Sequence, residues 1–503
     1  MNTSNTKPHY QPYLRPAAGW GALKSVTQVW FDSKQPFKNL RALLTVNQDK
    51  GFDCPGCAWG DSAESHRIKF CENGAKAINW EATNRQVNTD FFAKYSVSQL
   101  KTQSDYWLEY QGRLTEPMSY DAQSDHYIPI SWEKAFSLIA KHLKALPSPD
   151  QAEFYTSGRA SNEAAFLYQL FARAYGTNNL PDCSNLCHEA SGVALIQSIG
   201  TGKGTVRLED FEHSDAIFVL GQNPGTNHPR MLDPLQKAVQ RGAQVICINP
   251  LKERGLERFQ RPQDPQEMLS NNSSPLSTAY YRPALGGDMA IIRGIAKVLL
   301  REERNAKAKG LSAIFDHAFI EEHTDGLESY LSLLDQTSWT EITEQSQLSL
   351  LNIESIAQKY MQANNVIICW AMGITQHHHS VPTIQEIVNL LLLRGNIGKP
   401  GAGVCPVRGH SNVQGDRTMG IHERPSKEFL DSLEQKLKFS VPRNHGHNSV
   451  EAIQAMANKS SKVFIGLGGN FSQATPDSQT SHQALKNCNL TVQISTKLNR
   501  SHL

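Results

Sequence analysis

The chain has 503 residues, of which 39% are hydrophobic and 19% are charged, and its net charge is +2. This length exceeds one ordinary core and predicts about three domains, while the near-neutral charge argues against binding to nucleic acid or to a membrane surface. No apolar run is long enough for a membrane span. The N-terminal residues lack the apolar core and the arginine pair of an export signal, so we expect a cytoplasmic protein.

Strands and helices are predicted to alternate from residue 130 onward. Ser131 caps a predicted helix that extends to Leu146, and a strand at 153–158 precedes a helix at 161–175. The segment 262–283, rich in Ser, Asn, Gln and Pro, is predicted to be a long loop or an insertion. Further buried strands are predicted at 215–221, 244–249, 366–373, 462–469 and 490–496, with helices at 231–241 and 382–393.

These strand–loop–helix units predict an α/β fold of several lobes with parallel, doubly wound sheets. In such sheets, ligands bind at the carboxyl ends of the strands. The polar loop 221–230 follows a predicted strand directly, which is typical of nucleotide pockets, although a plain turn is an alternative. The glycine-rich segment 199–206 lacks the Gly-Lys-Ser/Thr of a phosphate loop. The adjacent histidines at 377–379 make no metal site by themselves, because neighbouring side chains point in different directions.

Three of the nine cysteines, Cys54, Cys57 and Cys71, lie close together near the N-terminus. A Cys-x-x-Cys pair with a third cysteine can hold zinc or an iron–sulfur cluster, because both need several thiolates converging on one point. A redox pair or incidental thiols are the alternatives. A fourth thiolate is missing, and Asp61 is the candidate for the remaining ligand.

Two further segments contain candidate catalytic residues. Cys187 and His188 precede a predicted helix, where a thiolate is favoured and has a base beside it. A buried cysteine and a surface histidine are the alternative. Arg408 lies in the glycine-rich segment 395–420, and its planar guanidinium group can grip a carboxylate. By itself it would be an ordinary surface arginine.

Taken together and in order, these segments resemble the large subunit of the molybdopterin oxidoreductases of the dimethyl-sulfoxide-reductase superfamily, in particular the formate-dehydrogenase-like branch called YdeP-type. The likeness runs from AAGWGALKSV at 17–26 to STKLNRSHL at 495–503. Its most specific phrases are NIGKPGAGVCPVRGHSNVQGDRTMG and GQNPGTNHPRMLDPL. The resemblance implies molybdenum bound by bis(molybdopterin guanine dinucleotide), together with a [4Fe–4S] cluster.

The resemblance also implies roles for individual residues. Cys187 matches the cysteine or selenocysteine that ligates molybdenum, His188 matches the active-site histidine, and Arg408 matches the arginine that holds formate. The three N-terminal cysteines match three of the four cluster ligands. Dinucleotide contacts are implied for Asn223, Asn227, His228, Asn249, Gln376, His377, Gln414, Gly468, Gly469 and Asn470.

The chain departs from the family pattern at three places. Asp61 replaces a cluster cysteine, and Asn73 replaces a lysine, with Lys76 as the nearby substitute. Relatives also continue beyond the point where this chain stops, so we expect it to lack a C-terminal cofactor-capping domain that a separate chain would supply.

The remaining sequence is predicted to divide into three lobes. The first is an N-terminal iron–sulfur lobe over 1–110. The second is a discontinuous α/β lobe formed by 111–182 with 412–503, and the third is an α/β lobe over 183–411.

The function that the resemblance implies is two-electron oxidation of a small anion, with formate oxidised to CO2. Electrons would leave through the iron–sulfur cluster to an acceptor that the sequence does not identify. Two alternatives remain open. One is a molybdenum oxidoreductase with a different substrate, linked to acid stress. The other is a truncated remnant without catalysis, which binds no cofactor or binds a partner in place of the substrate.

Overall fold

The computed structural model describes residues 11–61 and 68–503. Residues 1–10, which contributed to the argument against an export signal, lie outside the described residues. The chain divides into two compact units, each assembled from three segments. The three-lobe division stays a prediction. Unit 1 comprises 1–28, 59–72 and 190–407, and unit 2 comprises 29–58, 73–189 and 408–503.

The strands are short, and most of the longer ones belong to two parallel sheets. Their bounds are β1 Ala17–Ala18, β2 Gln86–Val87, β3 Arg113–Leu114, β4 Met118–Asp121, β5 His126–Pro129, β6 Ala152–Thr156, β7 Ala216–Leu220, β8 Gln244–Ile248, β9 Arg258–Gln260, β10 Ser274–Pro275, β11 Ala279–Tyr281, β12 Val366–Trp370, β13 Gly403–Pro406, β14 Val463–Leu467 and β15 Leu490–Ile494.

The helices vary from single turns to the 22-residue α15. Their bounds are α1 Gly19–Asp32, α2 Pro36–Thr45, α3 Glu72–Glu81, α4 Thr89–Lys94, α5 Val97–Lys101, α6 Asp105–Tyr110, α7 Trp132–Lys144, α8 Asn162–Tyr175, α9 Ser184–Cys187, α10 Glu189–Ile199, α11 Pro224–Asn227, α12 Leu232–Gln240, α13 Arg254–Glu257, α14 Pro265–Ser270, α15 Asp288–Lys309, α16 His317–His323, α17 Leu327–Gln336, α18 Trp339–Ser346, α19 Leu350–Gln362, α20 Met372–Thr375, α21 Ser380–Leu392, α22 Val413–Thr418, α23 Lys427–Leu437, α24 Ser449–Ala457, α25 Phe471–Ala474 and α26 Ser478–Lys486.

Unit 1 is built around a five-stranded parallel sheet in the order β11-β8-β7-β12-β13. Its central strands are buried on both faces, because Phe218 and Ile368 pack into one apolar cluster and Val219 and Cys369 into another. Double burial explains why β7 and β12 are apolar at every position instead of at alternate ones. The predicted parallel α/β class is therefore confirmed.

Unit 2 contains a three-stranded parallel sheet in the order β15-β14-β6. Two of its helices begin where their capping serines predict. The hydroxyl of Ser131 accepts the N–H of Lys134 at the start of α7, and that of Ser161 accepts the N–H of Ala164 at the start of α8. The N-terminal iron–sulfur lobe stays a prediction.

The segment 262–283 differs from the predicted loop. Asp264 caps α14, whose first residue is Pro265, because proline needs no hydrogen-bond partner at that position. Downstream, β11 pairs with β8 and becomes an edge strand of the unit 1 sheet. The polar composition of this segment did not predict α14 or β11, because a short helix and an edge strand need few apolar residues. Among the described residues, no helix is long and apolar enough to cross a membrane.

Candidate active site

Cys187 is the last residue of α9, and its side chain is buried, with 9% exposed. Its sulfur accepts a hydrogen bond from the backbone N–H of Gly409. A Cβ atom added to Gly409 would lie 3.9 Å from the Cys187 sulfur, so the backbone passes close to the thiol. Burial raises the pKa of this thiol, while the hydrogen bond and the charge of Arg408 oppose that shift. The Cys187 thiol is thus buried and lies near the positive charge of Arg408.

The two other residues with predicted catalytic roles belong to the same unit. Arg408 is buried, which lowers the pKa of its guanidinium group, and the opposing influence comes first from Cys187. His188 is also buried, and its backbone N–H donates to the carbonyl of Ser184. Cys187 and Arg408 are therefore close enough to influence each other electrostatically. His188 is the residue that follows Cys187 in the chain. The specific roles of these residues stay predictions.

Arg417, on α22, holds the segment that contains Cys187. Burial alone would lower its pKa, but the surrounding carboxylates outweigh this effect and raise it. Sequence reasoning missed this residue, and the only sequence signal is its position nine residues after Arg408. Its partners, with N–O distances, are Asp182 at 3.1 Å, Ser184 at 2.6 Å, Glu189 at 3.0 Å and Glu423 at 3.5 Å.

Asp416 is a second buried titratable residue that the sequence did not reveal. Only 1% of the residue is exposed. Asn412 donates to its Oδ1 at 3.2 Å, whereas its Oδ2 has no hydrogen-bond partner in the part of the chain that the structure describes. Burial, and then the negative charge of Asp182, raise the pKa of Asp416 to about 8. The folded protein therefore favours a protonated side chain here at neutral pH.

Replacing Asp416 with Asn should flatten the pH dependence of stability. The pKa of an unfolded aspartate is about 3.9, so the stabilisation from the bound proton is complete below that pH and is lost as the pH rises to about 8. The asparagine amide does not titrate, so the stability of the variant does not fall in this way as the pH rises. We expect the variant to gain on the order of a few kcal/mol relative to the parent between pH 4 and 8. Urea unfolding across this pH range measures the free energy of unfolding of both proteins. The prediction would be contradicted if this free energy changed with pH equally in the parent and the variant.

The loops predicted to contact a dinucleotide in unit 1 follow adjacent strands. Asn249 directly follows β8, Asn223 follows β7, and Gln376 follows β12. Two of these loops pack backbone against backbone, because the N–H of Gly373 donates to the carbonyl of Gly221 at 3.0 Å. A side chain on Gly373 would collide with that carbonyl, since its Cβ atom would lie 2.4 Å away from the oxygen. The three loops thus share the carboxyl edge of the sheet.

The side chains of these loops differ in exposure. Asn227 and Gln376 are exposed, whereas His228 and Asn249 are buried. The Nδ2 of Asn223 donates to Glu253 Oε2 at 2.7 Å. The Nδ2 of Asn249 donates to the carbonyl of Leu251 at 2.8 Å, which holds the turn after β8. The exposed residues Asn227 and Gln376 can contact a ligand, while the buried groups shape the loops.

Asp288, which sequence reasoning missed, begins α15 in unit 1. It is 6% exposed, and its Oδ1 has no hydrogen-bond partner within residues 11–61 and 68–503. Burial raises the pKa of Asp288 to about 6, and the charge of His377 opposes this shift. The two glycines before Asp288 are the only sequence signal, because a turn that admits a close approach often uses them. An acceptor oxygen is therefore available near His377.

The corresponding loop of unit 2 follows β14. Gly468 and Gly469 have φ angles of +70° and +75°, which favour glycine. A Cβ atom on Gly468 would lie 2.6 Å from the hydroxyl of Ser157, at the end of β6. Asn470 Oδ1 accepts the hydroxyl of Ser501 at 3.1 Å. Gln414 is exposed on α22.

Cys54 and Cys57 form a tight loop in unit 2. The N–H of Gly56 donates to the Cys54 sulfur at 3.4 Å, an arrangement that stabilises a thiolate. Cys71 directly precedes α3. The Asp61 carboxylate pairs with Arg230. In the described ranges, no group of three or more His, Cys, Asp and Glu side chains is arranged to hold a metal ion, so the cluster site stays a prediction.

Comparison with known proteins identifies the class. The profile of the molybdopterin oxidoreductase family matches residues 113–501. The chain therefore belongs to the molybdopterin oxidoreductase family, and the predicted family of enzymes is confirmed.

Individual relatives agree with this assignment. The chain is 50% identical over 497 residues to Protein YdeP of Escherichia coli strain K12, covering 99% of this chain and 66% of YdeP. It is 49% identical over 493 residues to an uncharacterized oxidoreductase of Mycobacterium bovis, covering 98% and 63%. To formate dehydrogenase H of Escherichia coli strain K12 it is 28% identical over 412 residues, covering 79% and 53%. The chain thus spans about two thirds of the length of YdeP.

A solved structure supports the fold. Acetylene hydratase from Pelobacter acetylenicus superimposes with a TM-score of 0.58 at 16% sequence identity. The likeness covers 80% of this chain and 55% of the hydratase. At this identity it bears on the fold alone, and it agrees with the parallel α/β architecture described above.

Proposed function

We propose that this chain is the catalytic part of a molybdenum-dependent oxidoreductase that oxidises a small anion, with formate as the first candidate. The observation that supports it is the buried thiol of Cys187 beside the buried guanidinium group of Arg408. A thiolate is a metal ligand, and a guanidinium group binds a carboxylate through two parallel hydrogen bonds. The 28% identity to formate dehydrogenase H favours formate among small anions.

The residues present fit the proposed molybdenum bis(molybdopterin guanine dinucleotide). Cys187 offers a sulfur ligand, and Asp288 Oδ1 is a buried acceptor without a hydrogen-bond partner among the described residues. Guanine presents N–H donors that such an oxygen accepts. The residues that would contact the dinucleotides are Asn223, Asn227, His228, Asn249, Gln376, His377, Gln414, Gly468, Gly469 and Asn470.

The chain's own residues bind the anion and handle the proton. When bound, the cofactor supplies a centre that takes up two electrons. Arg408 binds both oxygens of formate and fixes its orientation. Because Arg408 and Cys187 are buried, little water competes, and the attraction between guanidinium and carboxylate is strengthened. His188 accepts, at an imidazole nitrogen, the proton released when formate becomes CO2.

Replacing Arg408 with Lys tests the substrate proposal. Lysine keeps the charge but loses the planar pair of donors. We expect the KM for formate to rise at least about 10-fold, since a hydrogen bond to a charged group contributes about 1.5–3 kcal/mol. Steady-state turnover of formate measures it, with the exposed Arg424→Lys as the matched control. An unchanged KM would show that formate is the wrong substrate or that Arg408 binds something else.

We also propose that Cys54, Cys57 and Cys71 bind an iron–sulfur cluster through which electrons leave. The hydrogen bond from Gly56 to the Cys54 sulfur supports this proposal. Three thiolates with a harder fourth ligand, such as Asp61, should leave one iron labile. Asp61 would have to leave Arg230 to serve as that ligand.

Iron analysis and electron paramagnetic resonance test the cluster. The reduced parent should show the signal of a four-iron cluster, and a three-iron form should add a signal in the oxidised protein. Cys57→Ser should lose the bound iron, because it removes one of only three thiolates. The control variant Cys488→Ser should keep the bound iron, because Cys488 belongs to neither the predicted cluster site nor the predicted molybdenum site. Stoichiometric zinc without iron in the parent would replace the cluster with a zinc site.

A further inference from the structure

Three cysteines lie in one row across the unit 1 sheet. Cys369 on β12 is in register with Cys405 on β13. On its other side, Cys369 is in register with Val219 on β7, and Val219 is in register with Cys247 on β8. Cys369 and Cys405 are therefore direct neighbours, whereas Cys247 lies two strands away from Cys369.

The two neighbouring cysteines share one face of the sheet. Cys369 belongs to the buried cluster that contains Val219, and Cys405 packs against the same cluster. The intervening positions Ile368 and Val404 belong to the cluster on the opposite face. This alternation is what strand geometry requires, since successive side chains point to opposite faces.

The thiols are close enough to bond. Burial, and then a hydrogen bond with the Cys405 thiol, raise the pKa of Cys369. Adjacent strands lie about 4.8 Å apart, which is inside the range of about 4.4–6.8 Å between the Cα atoms of a disulfide. Two strand spacings, about 9.6 Å, separate Cys247 from Cys369 and exceed that range.

We propose that Cys369 and Cys405 form a redox-active dithiol that a peroxide converts into a reversible cross-strand disulfide. Cys405 is partly exposed and Cys369 is fully buried, so the oxidant reaches Cys405 first. Its sulfur takes a hydroxyl group from hydrogen peroxide as the O–O bond breaks, and the departing hydroxide takes up the thiol proton and leaves as water. The Cys369 sulfur then loses its proton and attacks, forming the S–S bond and releasing a second water.

The overall step is balanced. The two thiols lose two electrons and two protons, and hydrogen peroxide is reduced to two molecules of water. The bond would tie β13, an edge strand of the sheet, covalently to β12. Since β13 ends at Pro406, two residues before Arg408, oxidation should slow amide hydrogen exchange in the strand that leads to Arg408.

The test uses the full chain and hydrogen peroxide, and it does not depend on the activity proposed above. After treatment, remaining thiols are alkylated under denaturing conditions, and the digest is mapped by mass spectrometry without reduction. We expect one cross-linked pair of peptides containing Cys369 and Cys405, lighter by two hydrogen atoms and released by dithiothreitol. Cys247→Ala should form the same cross-link, because Cys247 lies out of reach.

Cys405→Ala should abolish the cross-link and leave Cys369 alkylated. Should that variant fail to fold by circular dichroism, the nearly isosteric Cys405→Ser gives the same test. The proposal is overturned if peroxide takes Cys405 to a sulfinic acid without a cross-link. It is equally overturned if both thiols remain reduced, or if Cys369 pairs with a different cysteine.

Discussion

Replacing Cys187 with Ala is expected to abolish turnover and the retention of molybdenum while the chain remains folded. The substitution removes the sulfur that accepts the Gly409 N–H beside Arg408, and alanine offers no ligand in its place. Changes outside the direct ligands of metal sites already cost about 10- to 100-fold, so losing a direct ligand should cost more than about 100-fold. Molybdenum per chain and substrate turnover are the two measurements.

Cys183→Ala is the matched control for this experiment. It removes a buried thiol four residues earlier, whose sulfur lies 3.1 Å from His410 Nδ1. The control should retain molybdenum and most of the activity, because it removes one sulfur atom at a position that has no predicted role as a ligand. Parent-like metal content and turnover in Cys187→Ala would show that another residue is the ligand.

Arg417→Met is expected to destabilise the protein by about 3–5 kcal/mol, the usual cost of leaving a buried charge without its partner. Asp182 and Glu423 are both buried and would lose the guanidinium group that they share. Methionine keeps much of the apolar stem, so packing changes less than charge. Chemical denaturation of the parent and the variant measures the difference in the free energy of unfolding.

Two comparisons isolate the cause of that loss. Arg443→Met removes an exposed arginine that pairs with Asp431 and Glu434, and it should change stability little, because water screens such pairs. Combining Arg417→Met with Asp182→Asn should recover part of the lost stability, since no charge is then left at position 182. Equal losses in Arg417→Met and Arg443→Met would mean that burial of the network contributes nothing.

Local features of the fold could be predicted from the sequence. Ser161 caps a helix because its hydroxyl replaces a missing backbone partner, a rule that involves four consecutive residues. The strand at Val366–Trp370 could be predicted because burial on both faces requires apolar residues at every position. Both signals lie within short windows, so no knowledge of distant segments was needed.

The candidate site could be predicted only in part. Cys187 and Arg408 stand in recognisable phrases, and the resemblance singled them out. The pairing of Arg417 with Asp182 joins residues 235 positions apart, and no local pattern marks such a contact. Asp288 escaped notice for the same reason: its importance comes from burial near His377, which depends on how α15 packs.

The route of the chain through the two units has a consequence for how the protein is made. Cys187 lies two residues before the chain leaves unit 2, and Arg408 is the first residue after it returns. All of the segment 190–407 is therefore synthesised between the two residues, and bringing them together closes a loop that includes this whole segment. A ribosome that has added residue 187 holds a chain whose Cys187 still lacks both the cation and the Gly409 amide. If Cys187 binds molybdenum as proposed, a site that includes the Arg408 charge and the Gly409 amide can exist only after residue 409 has been synthesised.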